Sequence, residues 1–356
     1  MKSELVYDAN YRNGDTIKLP LFLYRIFIYE YWPFWILFSP CVFYWIVLSI
    51  RARSFTWFTA ANPGIKYGGV FGESKEDILK MVPENYLPVS LYIEQGNSFE
   101  EISMKIKEKS LSYPLICKPD KGEMGFMVER VMNENELKLY IERARQKFII
   151  QEYINFPVEL GILYHRLPGQ TTGKVTSVVS KEFLAVNGDG ISTIRELMEQ
   201  SARARFQIER LSKQINLKSI PHKGEYILLE PIGNHCRGTR FINSSEIINA
   251  QLNQIFDLIT KDMNGFYYGR FDLRVSSLDD LKNGRNIRIM EVNGVTSEPA
   301  HIYDSNMNLI KSYVSIFQHM KIIFNIASAN NANGTSYVNP LTLYRSVSAH
   351  FKEKGM

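Results

Sequence analysis

Between Tyr31 and Ile50 the chain carries twenty consecutive residues without a charge, among them Trp32, Trp35, Tyr44 and Trp45. Such a run has few places to go. As a helix it would be about 30 Å long, the thickness of a bilayer core. Tryptophan and tyrosine are the residue types that favour the membrane interface. Arg51 and Arg53 follow at once, while Lys18 and Arg25 put positive charge on the other flank, and Pro33 and Pro40 interrupt the run. Three readings stay open: a membrane span, an interfacial or re-entrant anchor, and a buried element of a soluble fold. In the first two, the positive-inside tendency keeps Arg51, Arg53 and all that follows on the cytoplasmic side of the cell membrane. The third places the whole chain in the cytoplasm. The run starts too late, and without a small-residue cleavage site, for a signal peptide. If it is an anchor, a chain beginning near Ala60 stays soluble and keeps its binding function.

The remainder of the 356-residue chain reads as globular, with 45% hydrophobic and 22% charged residues overall, enough for two or three domains. A formal charge of +5 suits phosphate-rich ligands or an anionic membrane surface, and no Lys/Arg block suggests nucleic acid. Cys41, Cys117 and Cys236 are isolated and odd in number, which favours a reducing compartment. The six histidines lack the spacing of a zinc enzyme.

The strongest chemical signal is Gly269–Asn293. GRFDLR, a polar interval and NIRIMEVNG read as two strands joined by a connection. Residues two apart on a strand share a face, so Glu291 and Asn293 point the same way, and Asp272 shares its face with Arg270 and Arg274. If the strands pair, Asp272, Glu291 and Asn293 meet on one surface. Three oxygen ligands without His or Cys suit magnesium, a hard cation that keeps waters and shares a substrate phosphate. A solvated sheet face with a few charges is the plain alternative.

GRFDLR followed by IMEVN resembles the metal-binding end of the ATP-grasp ligases, the superfamily of D-alanine–D-alanine ligase, glutathione synthetase and cyanophycin synthetase. The resemblance implies an α+β fold in which two α/β lobes sandwich ATP, here preceded by the apolar, membrane-associating segment. It implies that Asp272, Glu291 and Asn293 hold Mg2+ and that Arg270 faces the transferring phosphate. Five segments follow: 1–59 apolar, 60–113 connector and reduced pre-ATP-grasp region, 114–154 nucleotide lobe, 155–325 metal and substrate lobe, and 326–356 tail. The family's N-terminal Rossmann-like domain has little room between Ala60 and Tyr113.

Upstream pieces extend the resemblance. Ala60–Glu73 is Gly-rich but has no GxxxxGK[ST], so a P-loop is excluded and a hinge is the simpler reading. Ser74 reads as the cap of a helix over Lys75–Met81, followed by a strand from Pro88; Ser74-Lys75 and Pro88–Ser90 match the family weakly. Pro114–Pro119 reads as a buried strand ending in Lys118, before the turn Asp120–Phe126 with Lys121, Gly122 and Gly125. A lysine at a strand end can reach phosphate oxygens, and glycines let backbone N–H groups close over them. This matches the family's KP-x-x-G-x-x-G segment, in which the lysine contacts the nucleotide phosphates. The resemblance further implies that Gln151, Glu152, Tyr153 and Ile154 line the adenine slot and that Glu159 takes the ribose.

In the second half, Lys181 on a strand is implied to face the γ-phosphate. Asn187–Gly190 is a turn, and Thr193–Glu196 a capping box opening a helix that buries Ile194, Leu197, Met198, Ser201, Arg205, Ile208 and Leu211. Its GDG segment leans toward the cyanophycin synthetase branch. There, Asn234, Arg237, Thr239 and Arg240 would form a loop approaching triphosphate and acyl substrate, with a solvated loop as the alternative. Ser244–Met263 reads as one amphipathic helix. Thr296, Ser297, Glu298 and His301 stand where D-alanine ligases hold the incoming amine, and Glu298 or His301 is the candidate base. Asn325–Asn339 reads as a loop or frayed linker before a short basic tail. The implied reaction activates a carboxylate as an acyl phosphate with ATP and Mg2+ before an amine attacks, on small-molecule or envelope-linked substrates. The alternatives are a membrane-tethered ATP-binding scaffold or sensor without turnover, and a phosphotransferase on the same fold.

Overall fold

The computed structural model describes residues 20–122 and 125–353; Lys18, Glu123 and Met124 of the segments above lie outside the described residues. The chain forms two compact units. One combines the chain up to Phe38 with Lys181–Ile242, and the other combines Ser39–Ser180 with Asn243 onward. Strands and helices are numbered in chain order, and the architecture is mixed α/β.

The larger unit holds two antiparallel sheets. In the first, β1 (Ser90–Ile93), β2 (Leu115–Pro119), β3 (Glu129–Val131) and β4 (Phe148–Glu152) run in the order β1-β4-β2-β3. Helices α4 (Phe99–Glu108) and α5 (Glu134–Arg143) bury Ile102, Ile106, Leu137 and Tyr140 against it. Both begin where a side chain satisfies an orphan helix N–H: Ser98 with Glu101 forms a capping box, and Asn133 caps α5.

The second sheet carries β5 (Val158–His165), β6 (Lys174–Glu182), β10 (Tyr268–Val275) and β11 (Ile287–Asn293), ordered β11-β10-β5-β6 in this unit. Helix α9 (Ala250–Thr260) buries Leu252, Ile255, Phe256 and Ile259 against Leu160, Ile162, Phe271 and Ile289. The connection between β10 and β11 contains the short helix α10 (Leu278–Lys282), capped by Ser277. The alternation in GRFDLR and NIRIMEVN thus does fold as a paired β-ribbon.

A third core forms where α2 (Phe34–Ala52) meets α11 (Leu309–Ala332) through Leu48, Trp57, Ile323, Phe324 and Ala327. The loop after it is held by Asn62, which is fully buried. Its Oδ1 accepts from the N–H groups of Tyr267 and Tyr268 at 2.8 and 3.0 Å, and its Nδ2 donates to Gly68 O and Tyr268 O at 3.1 and 2.8 Å. The Gly-rich connector is therefore pinned to the first residue of β10. Helix α3 (Lys75–Leu79) follows it. Leu48 and Trp57 are 1% and 3% exposed, so a chain beginning at Ala60 would lose part of this core.

In the smaller unit, the ribbon of β7 (Ala185–Asn187) with β8 (Tyr226–Leu228) and helices α6 (Ile194–Glu199), α7 (Ala202–Arg205) and α8 (Ile208–Leu211) surround a core of Val186, Met198, Ala204, Leu211 and Leu229, and α1 (Leu21–Phe27) lies against α7. β9 (Arg240–Asn243) carries the chain back across the unit boundary.

Four sequence expectations need correction. The helix expected from Ile194 to Leu211 is three short ones, because Ser201 is extended (φ −119°, ψ 127°). The helix expected from Ser244 begins at Ala250, where Asn249 accepts from Leu252 N–H. The Asn-rich stretch after Asn325 is helical to Ala332, because buried Asn330 donates to Ala60 O at 2.8 Å. The basic tail contains α12 (Pro340–Glu353). Replacing Asn62 with Ala removes four hydrogen bonds from a dry site, so Asn62→Ala should lower stability by about 3 kcal/mol, read as a lower urea midpoint at unchanged m-value.

Candidate active site

The pairing of β10 with β11 puts Asp272 directly opposite Glu291, and Arg270 opposite Asn293. Two carboxylates in that relation repel, and cations gather on them. Arg270 Nε lies 3.4 Å from Asp272 Oδ1, and Arg270 Nη1 lies 3.6 Å from Glu298 Oε1. Asn293 Nδ2 donates to Asp272 Oδ2 at 3.2 Å. Lys75 Nζ stands 3.4 Å from Glu291 Oε1. Burial works against the Arg270 charge, but Asp272, Glu298 and Glu291 more than offset it, so its pKa is raised. Arg270 Nε is nevertheless buried without a hydrogen-bond acceptor.

Two lysines reach this ribbon from the first sheet side. Lys118, at the end of β2, is 6% exposed and donates to Met290 O at 2.8 Å and to Gln151 Oε1 at 3.1 Å. Burial pulls its pKa down to about 8; Glu291 and Asp272 resist that fall, and Lys75 adds to it. Lys75 is the residue sequence reasoning left out of the candidate set. Asp120 places it: Asp120 O accepts from Lys75 N–H at 3.1 Å, and its carboxylate accepts from Ser74 Oγ and Glu76 N–H. Lys75 Nζ then donates to Gly122 O at 2.6 Å, beside the turn in which Gly125 takes a positive φ of 72°. The sequence signals for Lys75 were its place after a helix cap and the weak family match of Ser74-Lys75. Lys121 is exposed on the same turn.

The hinge after β4 is tied to β10. Arg274 is buried; its Nε donates to Glu159 Oε2 at 2.8 Å and its Nη1 to Ile154 O at 2.6 Å, with the guanidinium over the Tyr153 ring. Glu159, read as a ribose ligand, is thus held by Arg274. Gln151 is buried between Lys118 and Ser90, and Glu152 accepts from Val89 N–H.

Beyond Asn293, a Cβ on Gly294 would sit 2.7 Å from Gly69 Cα, so this loop closes directly on the connector. Thr296 donates to Gly69 O and Ser297 to Asn293 O. His301 is buried with Nδ1 on Ser177 and Nε2 on Ser315, and burial takes its pKa down to about 4, a weak base. Of the four acceptor-side candidates, Ser297 accepts from Arg270 N–H at 3.3 Å and Glu298 is the one placed on the Arg270 guanidinium.

Lys181, Asn234, Arg237 and Arg240 belong to the smaller unit. There Lys181 lies over the Phe241 ring, Arg240 is 3.5 Å from Glu182, and Arg237 is 3.7 Å from Glu230. Asn234 accepts from Cys236 N–H.

The donor set fits magnesium in a particular way. Among the described residues no group of three His, Cys, Asp or Glu could hold a metal ion. Asp272, Glu291 and Asn293 supply two carboxylates and an amide, all oxygen donors, which is too few for a closed cage but suits an ion completed by waters and phosphate.

No protein-family model matches the chain, and no curated protein matches it. Solved structures do. It is similar to a bifunctional glutathione synthetase from Pasteurella multocida (18% identity, 68% of this chain and 36% of that one, TM-score 0.36). It is also similar to the VanG D-Ala:D-Ser ligase from Enterococcus faecalis (20%, 71% and 61%, TM-score 0.41). A third is the D-alanine–D-alanine ligase from Bacillus anthracis complexed with ATP (15%, 73% and 68%, TM-score 0.40). The chain spans 36% and 61% of the length of the first two.

The lowered Lys118 pKa gives a signed prediction. Its folded value, about 8, lies below the ordinary 10.5. The unfolded chain therefore binds more protons between those values, and stability rises with pH across that window. Anion binding runs the other way, because only charged Lys118 attracts phosphate. Affinity for tripolyphosphate should fall as pH rises above about 8, by up to about tenfold per unit. Titration calorimetry from pH 7 to 9.5 reads it, and Lys118→Met should bind more weakly with a flatter profile.

Proposed function

We propose that this chain is an ATP- and magnesium-dependent carboxylate–amine ligase of the ATP-grasp kind, working at the cytoplasmic face of a membrane. The observation that carries this reading is the cross-strand pair Asp272 and Glu291, with Lys118 and Lys75 converging on the same ribbon from beside a glycine turn. Carboxylates and buried cations at one spot have a common use where a polyphosphate and a divalent ion bind together. Asp272, Glu291 and Asn293 would hold Mg2+, which when bound neutralises phosphate charge.

The protein's own residues position and balance charge. Lys118 and Lys75 hold phosphate oxygens, with Gly122 and Gly125 beside them. Arg270, kept charged by its acidic neighbours, stabilises the transferring phosphoryl group. A carboxylate oxygen bonds to the γ-phosphorus as the bond to the β,γ-bridging oxygen breaks and ADP leaves. The amine nitrogen then attacks the acyl carbon, phosphate departs with the C–O bonding electrons, and the amine proton passes to Glu298 or water.

The membrane part of the reading rests on α2. It is a 19-residue helix with mean hydropathy 1.6, long and apolar enough to cross a bilayer, and only 22% of its span is buried. Phe43 and Ile50 are 74% and 69% exposed. Burying such a face in lipid contributes several kcal/mol at about 25 cal/mol per Å². Arg51 and Arg53 then favour a cytoplasmic body, and an amphiphilic or envelope-linked substrate fits that place.

Glu291→Gln removes a charge but little volume. It should abolish magnesium-dependent ADP release in a screen of carboxylate and amine pairs while leaving the melting temperature near wild type; undiminished release would rule out the metal site. Full-length chain should float with liposomes and resist a high-salt wash, and monomeric solubility without detergent would count against the membrane reading.

A further inference from the structure

The smaller unit carries a face of its own that is both apolar and basic. In α1, Phe22, Arg25 and Ile26 fall at the spacing that puts side chains on one side of a helix. All three are exposed, and so is Phe27; Phe22 and Phe27 are 62% and 72% exposed. The other side of this segment is tied down. Tyr24 is buried and meets the Tyr31 ring edge-on at 6.2 Å, and Tyr31 packs on Phe206 at 4.9 Å. Glu30, also buried, forms an ion pair with Arg203, and His235 Nε2 lies 3.2 Å from the same Glu30 oxygen. The phenylalanines of α1 are thus held outward by contacts within this unit. Beside them lies a hollow of 660 Å³, whose walls include Phe22, Arg25, Arg195, Arg205 and Phe206. Its acids are Glu199 and Glu209, and Arg195 Nε lies 3.3 Å from Glu199 Oε1. Three guanidiniums against two carboxylates leave the hollow basic by one charge. Among the described residues Arg25 makes no ion pair; its guanidinium lies 5.3 Å over the Phe206 ring. Guanidinium groups take phosphate oxygens in pairs. Aromatic and aliphatic side chains next to such cations form the composition that settles at the headgroup level of a bilayer.

We propose that this hollow is a headgroup site for an anionic phospholipid, in which Arg25, Arg195 and Arg205 hold the lipid phosphate while Phe22, Ile26 and Phe27 enter the acyl boundary. Charge and apolar surface together select the occupant. An uncharged ligand makes no use of the guanidiniums, and a free anion makes none of the phenylalanines. The inference rests on the membrane reading of this chain and adds to it a headgroup preference carried by the smaller unit. It does not depend on the ligase reaction.

Vesicle flotation of the full-length chain tests it, with phosphatidylcholine alone and with phosphatidylcholine plus an equal part of phosphatidylglycerol. Binding should be tighter to the anionic vesicles. Arg25→Gln and Arg195→Gln should each weaken that binding about fivefold, the factor for one basic residue near an anionic surface, and leave binding to neutral vesicles unchanged. Lys218→Gln removes the same charge from an exposed position of this unit outside the hollow and should change little. An equal loss in Lys218→Gln means diffuse attraction and overturns the headgroup site. Where α2 holds the chain too tightly for flotation to separate the variants, hydrogen exchange on the vesicle-bound chain decides. Phosphatidylglycerol should slow the amides of α1 and α7, among them Ile28 N–H on Tyr24 O and Arg205 N–H on Ser201 O, and should do so less in Arg195→Gln. Glycerol phosphate giving the same protection without vesicles would make this a site for a free anion and overturn the proposal. Equal binding to both vesicles with unchanged exchange overturns it as well, and leaves the membrane reading standing. Flotation with neither kind of vesicle removes both.

Discussion

Two like charges held face to face determine the chemistry of the larger unit. The register of β10 on β11 fixes Asp272 opposite Glu291. Relief comes from Arg270, Lys75 and Lys118, each delivered by a different element: β10 itself, a five-residue helix capped by Ser74, and the end of a strand in the other sheet. Removing the acids would leave Lys118 buried with a depressed pKa and no charge to hold it up. Removing the cations would leave two carboxylates in conflict. The site is therefore a balance of charges in which each sign is held by the other.

That balance needs a firm frame. Asn62 ties the connector to the start of β10, and Gly69 with Gly294 lets the loop after Asn293 close on it. Arg274 does the same for the hinge after β4, joining Glu159 and Ile154 O. Charged groups at the site are thus set by hydrogen bonds, a buried ion pair and backbone approach a few residues away, which is how a small geometric tolerance is kept.

What could be read from the sequence follows the range of the interactions concerned. The period-two alternation on either side of Asp272 and Glu291 is local, and it gave both strands and their shared face. Caps at Ser74 and Thr193 are likewise local signals and sit where they do in the structure. The pairing of Arg274 with Glu159 spans 115 residues and left no trace in either segment alone. Lys75 carried only a weak family match with Ser74, because its role depends on Asp120, 45 positions away by the numbering. The Asn-rich end of α11 was misread for the same reason: its composition suggests a loop, whereas Asn330 answers the carbonyls of Ala60 and Ala61. Glu30 drew no reading from the sequence, because its partners lie 173 and 205 residues downstream.

The contact between α2 and α11 has a consequence for how the chain is made. Leu48 and Trp57 bury against Ile323, Phe324 and Ala327, and Asn330 meets Ala60 across 270 residues. During vectorial synthesis at ~5–20 residues per second, the aromatic helix leaves the ribosome tens of seconds before its partner exists. Through that interval its apolar surface must be sheltered by something other than this protein. A bilayer or a chaperone that receives nascent helices would do so, and the late arrival of α11 would then decide how much of α2 is withdrawn into the fold and how much stays with its first host.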